Sequence, residues 1–150
     1  MATTAVDRWF LDANILVYAT VAAHPLHATA IAQLTALESA GAEFWISRQV
    51  VREYLAVMTR PGTYTGTVAT AVLVANVQRF ERSYQIASDN AAVTTRLLHL
   101  LTTVKLGGKQ VHDANIVATM LSHGIPKLLT HNIADFNRFA GLIAVLPLVP

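Results

Sequence analysis

Along the chain, short apolar runs alternate with stretches of helical period. Trp9-Phe10-Leu11 is a run of aromatic and aliphatic residues that reads as a buried strand, and it stops at an acid, Asp12. Asn14 to Ala23 predicts a helix ending before His24-Pro25, and Leu26 to Ala40 a second, alanine-rich helix with Gly41 as its stop. Glu43 to Ser47 predicts the second strand. Ser47 is then the expected N-cap of a helix from Gln49 to Arg60, which Pro61-Gly62 terminates and which carries Glu53 close to an apolar face.

A loop over Gly62 to Gly66 precedes a helix from Thr67 to Arg82. Its apolar positions, Val68, Val72, Leu73, Ala75, Val77 and Phe80, spread around the circumference, so burial on more than one side and a subunit or partner surface are expected there. Tyr84 to Ala87 predicts a third strand, with Ser88 or Asp89 capping a helix that runs to about Val104. Leu97, Leu98, Leu100 and Leu101 are its expected core, with His99 at the edge. The flexible loop Lys105-Leu106-Gly107-Gly108-Lys109 leads into a helix from Val111 to Leu121, with Asp113 in its first turn and His123-Gly124 at its end. Lys127 to Thr130 predicts a fourth strand that runs out into His131, Asn132 and Asp135, and Ile143 to Val145 a last edge strand.

This order implies an α/β domain, a parallel sheet of four to five strands with helices on both faces. Right-handed crossovers bring all the strand carboxyl ends to one edge, where ligands of open α/β sheets collect. Asp12 follows the first strand, Glu53 lies in the helix after the second, Asp113 opens the helix before the fourth, and Asp135 follows the fourth. Each has an ordinary structural role open to it: Asp12 as a helix cap and Asp113 as a complement to a helix dipole. Four of only nine acids converging on one crevice is what turns the reading toward a site.

Composition sharpens this picture in three ways. At 150 residues the chain is expected to be a single domain spanning 1–150. Hydrophobic residues make up 53% and charged residues 13%, so part of the surface should be covered by a partner or a second copy. The absence of cysteine excludes disulfides, thiolate metal sites and cysteine nucleophiles. Residues 1–7 lack the features of a signal peptide and no apolar run is long enough to span a bilayer, so a soluble cytoplasmic protein is expected. Eleven basic residues against nine acids give a net charge of +2, too mild to name a partner.

Two carboxylates about 5 Å apart repel by roughly 3 kcal/mol at an effective dielectric of about 20, and a cluster of four needs a cation or bound protons. Hard oxygen ligands, with Asn14, Thr130 and Asn132 beside them, suit Mg²⁺ or Mn²⁺. His24 and His27 have a loosely ligand-like spacing, but no second pair supports zinc. Carboxylate-held divalent ions activate water for attack on phosphodiesters. That chemistry matches a nuclease.

At this point the residues resemble a known group: the PIN-domain ribonucleases, and within them the VapC-type toxins of bacterial toxin–antitoxin pairs. The resemblance rests on Leu11-Asp12-Ala13-Asn14-Ile15-Leu16, on Glu53 beside Arg52, on His112-Asp113-Ala114, and on Thr130-His131-Asn132-Ile133-Ala134-Asp135-Phe136, in that order. It implies a PIN-like three-layer fold and a metal-dependent endoribonuclease with Asp12, Glu53, Asp113 and Asp135 as metal ligands and Asn14, Thr130 and Asn132 as polar support. Asn132 stands where the family often has a further acid. The resemblance also implies a homodimer and a VapB-type antitoxin as partner, with Arg48, Arg52, Lys105 and Lys109 as candidates for RNA contact. A catalytically inactive PIN-like module that binds RNA or protein is the alternative. A haloacid-dehalogenase-like phosphatase wants a second Asp two positions after the first, where this chain has Asn14, and a phospho-receiver module wants its acids paired after the first strand.

Overall fold

The strand that ends at Asp12, β1 (Arg8–Leu11), is the central strand of a five-stranded, all-parallel sheet in the computed structural model, which describes residues 3–62 and 68–149. The other strands are β2 (Glu43–Ser47), β3 (Gln85–Ala87), β4 (Lys127–Leu129) and β5 (Ala144–Leu146), in the order β3-β2-β1-β4-β5. The helices are α1 (Ala13–Thr20), α2 (His27–Ser39), α3 (Arg48–Met58), α4 (Thr70–Ser83), α5 (Ala91–Thr103), α6 (Gln110–His123) and α7 (Ile133–Phe136), the last running into a 3-10 turn at Asn137–Phe139. The apolar run of β1 is explained by burial on both faces: Phe10 and Leu11 are fully enclosed, with Ile46 of β2 and Leu128 and Leu129 of β4.

The chain winds from β1 to β2 and β3 on one side, then returns to β4 and β5 on the other. Strand order therefore reverses between β1 and β4, where Phe10 is in register with Leu128 and Leu11 with Leu129. Just beyond, the Asp12 amide donates to the Leu129 carbonyl at 3.1 Å and the Thr130 amide to the Leu146 carbonyl at 3.1 Å. The polar residues that follow the two apolar runs are thus brought side by side at the switch point.

Local chemistry sets most boundaries where the sequence put them. Ser47 caps α3, its hydroxyl accepting from the Val50 amide at 3.3 Å, and Gly124 closes α6 in the left-handed conformation at φ 66°, which favours glycine. The cap of α5 is Asn90, rather than Ser88 or Asp89: its Oδ1 accepts from the Ala92 and Val93 amides at 3.1 and 3.3 Å. Helix α1 stops at Thr20, short of Ala23; the Thr20 hydroxyl donates back to the Leu16 carbonyl at 2.9 Å.

Two expectations about burial are corrected. In α4 only Leu73 and Phe80 are buried, with Val77 half-buried between them, whereas Val72 and Val74 are about half exposed. The inward stripe therefore follows the i, i+4, i+7 spacing of a one-sided helix. In α5 the stripe is Val93, Leu97 and Leu100, so Leu98 and Leu101 face outward at 57% and 44% exposure and His99 is exposed. Both helices are single-faced, and the leucines and valines on their outer sides are available to a partner. The expected loop Gly62 to Gly66 and helix start at Thr67 fall largely outside the described residues. No described helix is long and apolar enough to cross a membrane.

Because Ser47 is buried and caps the helix that carries Glu53, Ser47→Ala is expected to lower the unfolding free energy by about 1 kcal/mol. Urea titration at neutral pH checks this; a midpoint unchanged at constant slope would show that the cap contributes nothing.

Candidate active site

Asp12 leaves β1 and enters α1, and this double position fixes its carboxylate. Oδ1 accepts from the Ala13 amide at 2.8 Å; Oδ2 accepts from the Thr130 hydroxyl at 2.7 Å and from Asn14 Nδ2 at 3.2 Å. Asn14 reaches on to the segment that follows β4, its Oδ1 accepting from the His131 amide at 3.2 Å, while the Thr130 hydroxyl accepts from the Asn132 amide at 3.0 Å. Asp12 both meets the first amide of α1 and lies open to the site, so capping and a site role are not alternatives.

With Asp12 only 5% exposed, burial is the main force raising its carboxyl pKa above the ordinary value. The Thr130 hydroxyl and the Ala13 amide pull the other way, and Glu53 and Asp135 add to the rise. Asp113, half-buried in the first turn of α6, is pushed up to about 6, first by burial and then by Asp135, Asp12 and Glu53, with Arg138 in partial opposition. Asp12 and Asp113 therefore both feel the charges of Glu53 and Asp135.

Three of the four line one cleft of about 580 Å³: Asp12, Glu53 and Asp113, together with Asn14, Tyr18, Arg60, Lys109 and Asn132. Asp135 sits on α7, exposed and outside that lining, and acts on the cleft through its field on Asp12 and Asp113. Thr130 is fully buried behind Asp12. Glu53 Oε1 is held at 2.9 Å by Gln49 Nε2 one helical turn earlier.

Of the four basic residues read as RNA contacts, Lys109 borders the cleft and Arg52 lines an adjoining depression with Glu53 and His112. Arg48 is turned to an ion pair with Glu81 at 2.9 Å, and Lys105 is exposed outside the cleft lining. Arg60 lines the cleft and was not singled out from sequence, where it read only as the residue before a Pro-Gly terminator. His24 and His27 serve local structure: His24 Nδ1 accepts from the Leu26 amide at 3.0 Å and its ring stacks on Tyr18, and His27 Nδ1 meets the Tyr18 carbonyl at 2.7 Å.

Among the described residues, no three acidic or imidazole side chains are arranged to hold one metal ion. The donor set is nonetheless all hard oxygen, with two carboxylates kept from easy ionisation by burial and mutual repulsion. That fits an ion such as Mg²⁺, which keeps several waters and takes one or two carboxylates plus substrate phosphates, and it does not fit a closed cage.

A model of the PIN domain family matches residues 9–142. Ribonuclease VapC48 of Mycobacterium tuberculosis is 29% identical over 133 residues, covering 87% of this chain and 91% of the relative. Ribonuclease VapC24 of the same organism is 29% identical over 131 residues, covering 86% and 89%. Among solved structures, VapBC2 from Rickettsia felis bound to a DNA fragment from its promoter superposes with a TM-score of 0.66 at 20% identity, covering 93% of this chain and 98% of that one, a likeness of fold.

The raised Asp113 pKa makes a prediction for the metal-free protein. The folded state holds its proton up to about pH 6, whereas an ordinary carboxyl releases it near 3.8. Its contribution is therefore most favourable below pH 4 and is lost as pH rises through 6. In EDTA, Asp113→Asn is expected to gain stability relative to the wild-type chain progressively between pH 4 and pH 7. Thermal unfolding of the two proteins across that range checks it, and parallel curves would contradict it.

Proposed function

The chain belongs to the PIN domain family, and from that membership we propose that it is a divalent-metal-dependent endoribonuclease, the toxin of a VapBC-type pair. The observation that carries the reading is the Asp12 carboxylate, buried at the strand-order switch point, held by Thr130 and Asn14, and facing a cleft shared with Glu53 and Asp113. The names of its relatives, two mycobacterial VapC ribonucleases among them, support the same activity.

The residues that would hold the ion are Asp12 and Asp113, with Glu53 beside them and Asp135 at the edge. A bound Mg²⁺ or Mn²⁺ supplies a nucleophilic water at neutral pH and offsets the charge that develops on a phosphodiester under attack. The chain's own work is positional and electrostatic. Thr130 and Asn14 hold Asp12 without neutralising it, because their donors are uncharged. Lys109 and Arg60 on the cleft wall attract an RNA backbone and carry no base readout, and Arg52 extends the basic track past Glu53. Asn132 offers the wall a further neutral donor and acceptor.

The outward valines of α4 and leucines of α5 fit a VapB-type antitoxin and a second copy of the chain as covering partners. The whole chain, 1–150, acts in this reading as one PIN-like domain on cytoplasmic RNA.

Asp12→Asn and Asp113→Asn are each expected to cut RNA cleavage by at least about 100-fold while leaving the circular dichroism spectrum unchanged, since each removes charge from the ion's site. EDTA should stop wild-type cleavage, and Mg²⁺ or Mn²⁺ should restore it. Gel assays on total cellular RNA decide the matter. Full activity in both variants, or cleavage indifferent to EDTA, would overturn the proposal, and RNA binding with no cleavage under any metal would favour the inactive PIN-like module.

A further inference from the structure

Gln49 is buried, at 7% exposure, in a cluster of side-chain and backbone hydrogen bonds between α3 and α6. Its Nε2 donates to Glu53 Oε1 at 2.9 Å and to the His112 carbonyl at 2.8 Å, and its Oε1 accepts from Asn115 Nδ2 at 2.8 Å. Asn115 Nδ2 also donates to Asp89 Oδ2 at 3.1 Å. One amide thus ties a carboxylate of α3 to the backbone of α6 at the residue immediately before Asp113.

We propose that Gln49 is a positioning residue for the cation site, holding Glu53 of α3 in register with Asp113 of α6 through its amide group. This rests on the metal-dependent reading of the cleft above.

Three features of the geometry carry it. First, the amide is used at both ends and cannot be turned over: its nitrogen faces a carboxylate and a carbonyl, both acceptors, and its oxygen faces the Asn115 amide, a donor. Second, α3 packs chiefly on α1 and α6 on α5, so the tie between α3 and α6 rests on this side chain more than on an interlocked helix interface. Third, glutamine is neutral. A lysine or arginine in its place could hold Glu53 equally firmly, but it would cancel the charge that a cation needs. A glutamate would set one carboxylate against another and against the His112 carbonyl. Among side chains of this length, glutamine alone donates to Glu53, accepts from Asn115 and adds no charge.

Outer-shell partners of metal-binding side chains commonly account for about 10- to 100-fold in metal affinity. The test is Mn²⁺ binding to the full-length protein, read by electron paramagnetic resonance of the free ion, alongside thermal unfolding in EDTA. Gln49→Met keeps the side-chain length and removes the amide; it is expected to weaken Mn²⁺ binding by about 10-fold or more. Asn115→Ala, which frees the Gln49 amide to turn, should weaken it in the same direction by a smaller factor. Thr119→Val is the control, since Thr119 is buried on α6 and its hydroxyl bonds only the helix backbone at Asn115. It should lose stability and keep the wild-type Mn²⁺ affinity.

If affinity in Gln49→Met and Asn115→Ala equals that of the wild type, or falls in all three variants in proportion to lost stability, the positioning role is overturned. Should Gln49→Met fail to fold, Asn115→Ala decides alone on the same criteria. Wild-type Mn²⁺ binding that Asp12→Asn removes keeps the metal-dependent reading intact whatever Gln49 does; no Mn²⁺ binding by the wild-type protein would overturn both.

Discussion

The hydrogen bond from the Thr130 hydroxyl to Asp12 Oδ2, 2.7 Å long and fully buried, is the contact on which the site depends. It spans the two strands between which the order of the sheet reverses, so it can form only once β1 and β4 have paired. An ionised carboxylate as enclosed as Asp12 is costly unless its lone pairs are met, and Ala13, Asn14 and Thr130 meet them. The compensation is incomplete, because burial still raises the carboxyl pKa.

The same economy governs the rest of the cleft. Asp12, Glu53 and Asn14 are held by neutral groups: a threonine hydroxyl, two side-chain amides and backbone amides. The cations nearby, Arg60 and Lys109, share the cleft wall, and Arg138 only partly offsets the rise in the Asp113 pKa. Elsewhere on the molecule the chain pairs its charges directly, Lys127 with Asp7 at 2.7 Å and Arg48 with Glu81 at 2.9 Å. Asp7 and Glu81 thus meet a cation directly at the surface, whereas Asp12 and Glu53 accept from neutral donors. A protein that only needed stability would have no reason to keep the two patterns apart, since repulsion among like charges is an energetic cost.

How much of this could be read from the chain depended on whether the deciding contact was local. The bounds of β2 at Glu43–Ser47 and the cap at Ser47 follow from a short run beside a polar residue, and the structure has both. The cap of α5 was ambiguous because Ser88, Asp89 and Asn90 all suit the role; where β3 ends, at Ala87, and where the inward stripe of α5 falls make it Asn90. The leucine pairs of α5 misled because neighbours in sequence lie about 100° apart on a helix, so a cluster of four cannot all face one layer. Asp12 and Asp113 were legible from topology, since right-handed crossovers alone bring them to one edge. Gln49 was not: the i, i+4 spacing allows its contact with Glu53, but its partners on α6, His112 and Asn115, lie far along the chain and no spacing announces them.

The low charge content acquires a physical meaning from where the apolar surface lies. Val72 and Val74 are on the outer side of α4, and Leu98 and Leu101 on that of α5, each about half exposed. Neither helix carries any of the four acids, and α4 and α5 contribute no residue to the lining of the 580 Å³ cleft. Surface that asks for a covering partner and surface that asks for a cation are therefore borne by different elements of one sheet-centred core. A partner seated on α4 or α5 gains its affinity from apolar burial, which is insensitive to the charge state of Asp12 or Asp113. An occupant of the cleft answers instead to those charges and to salt.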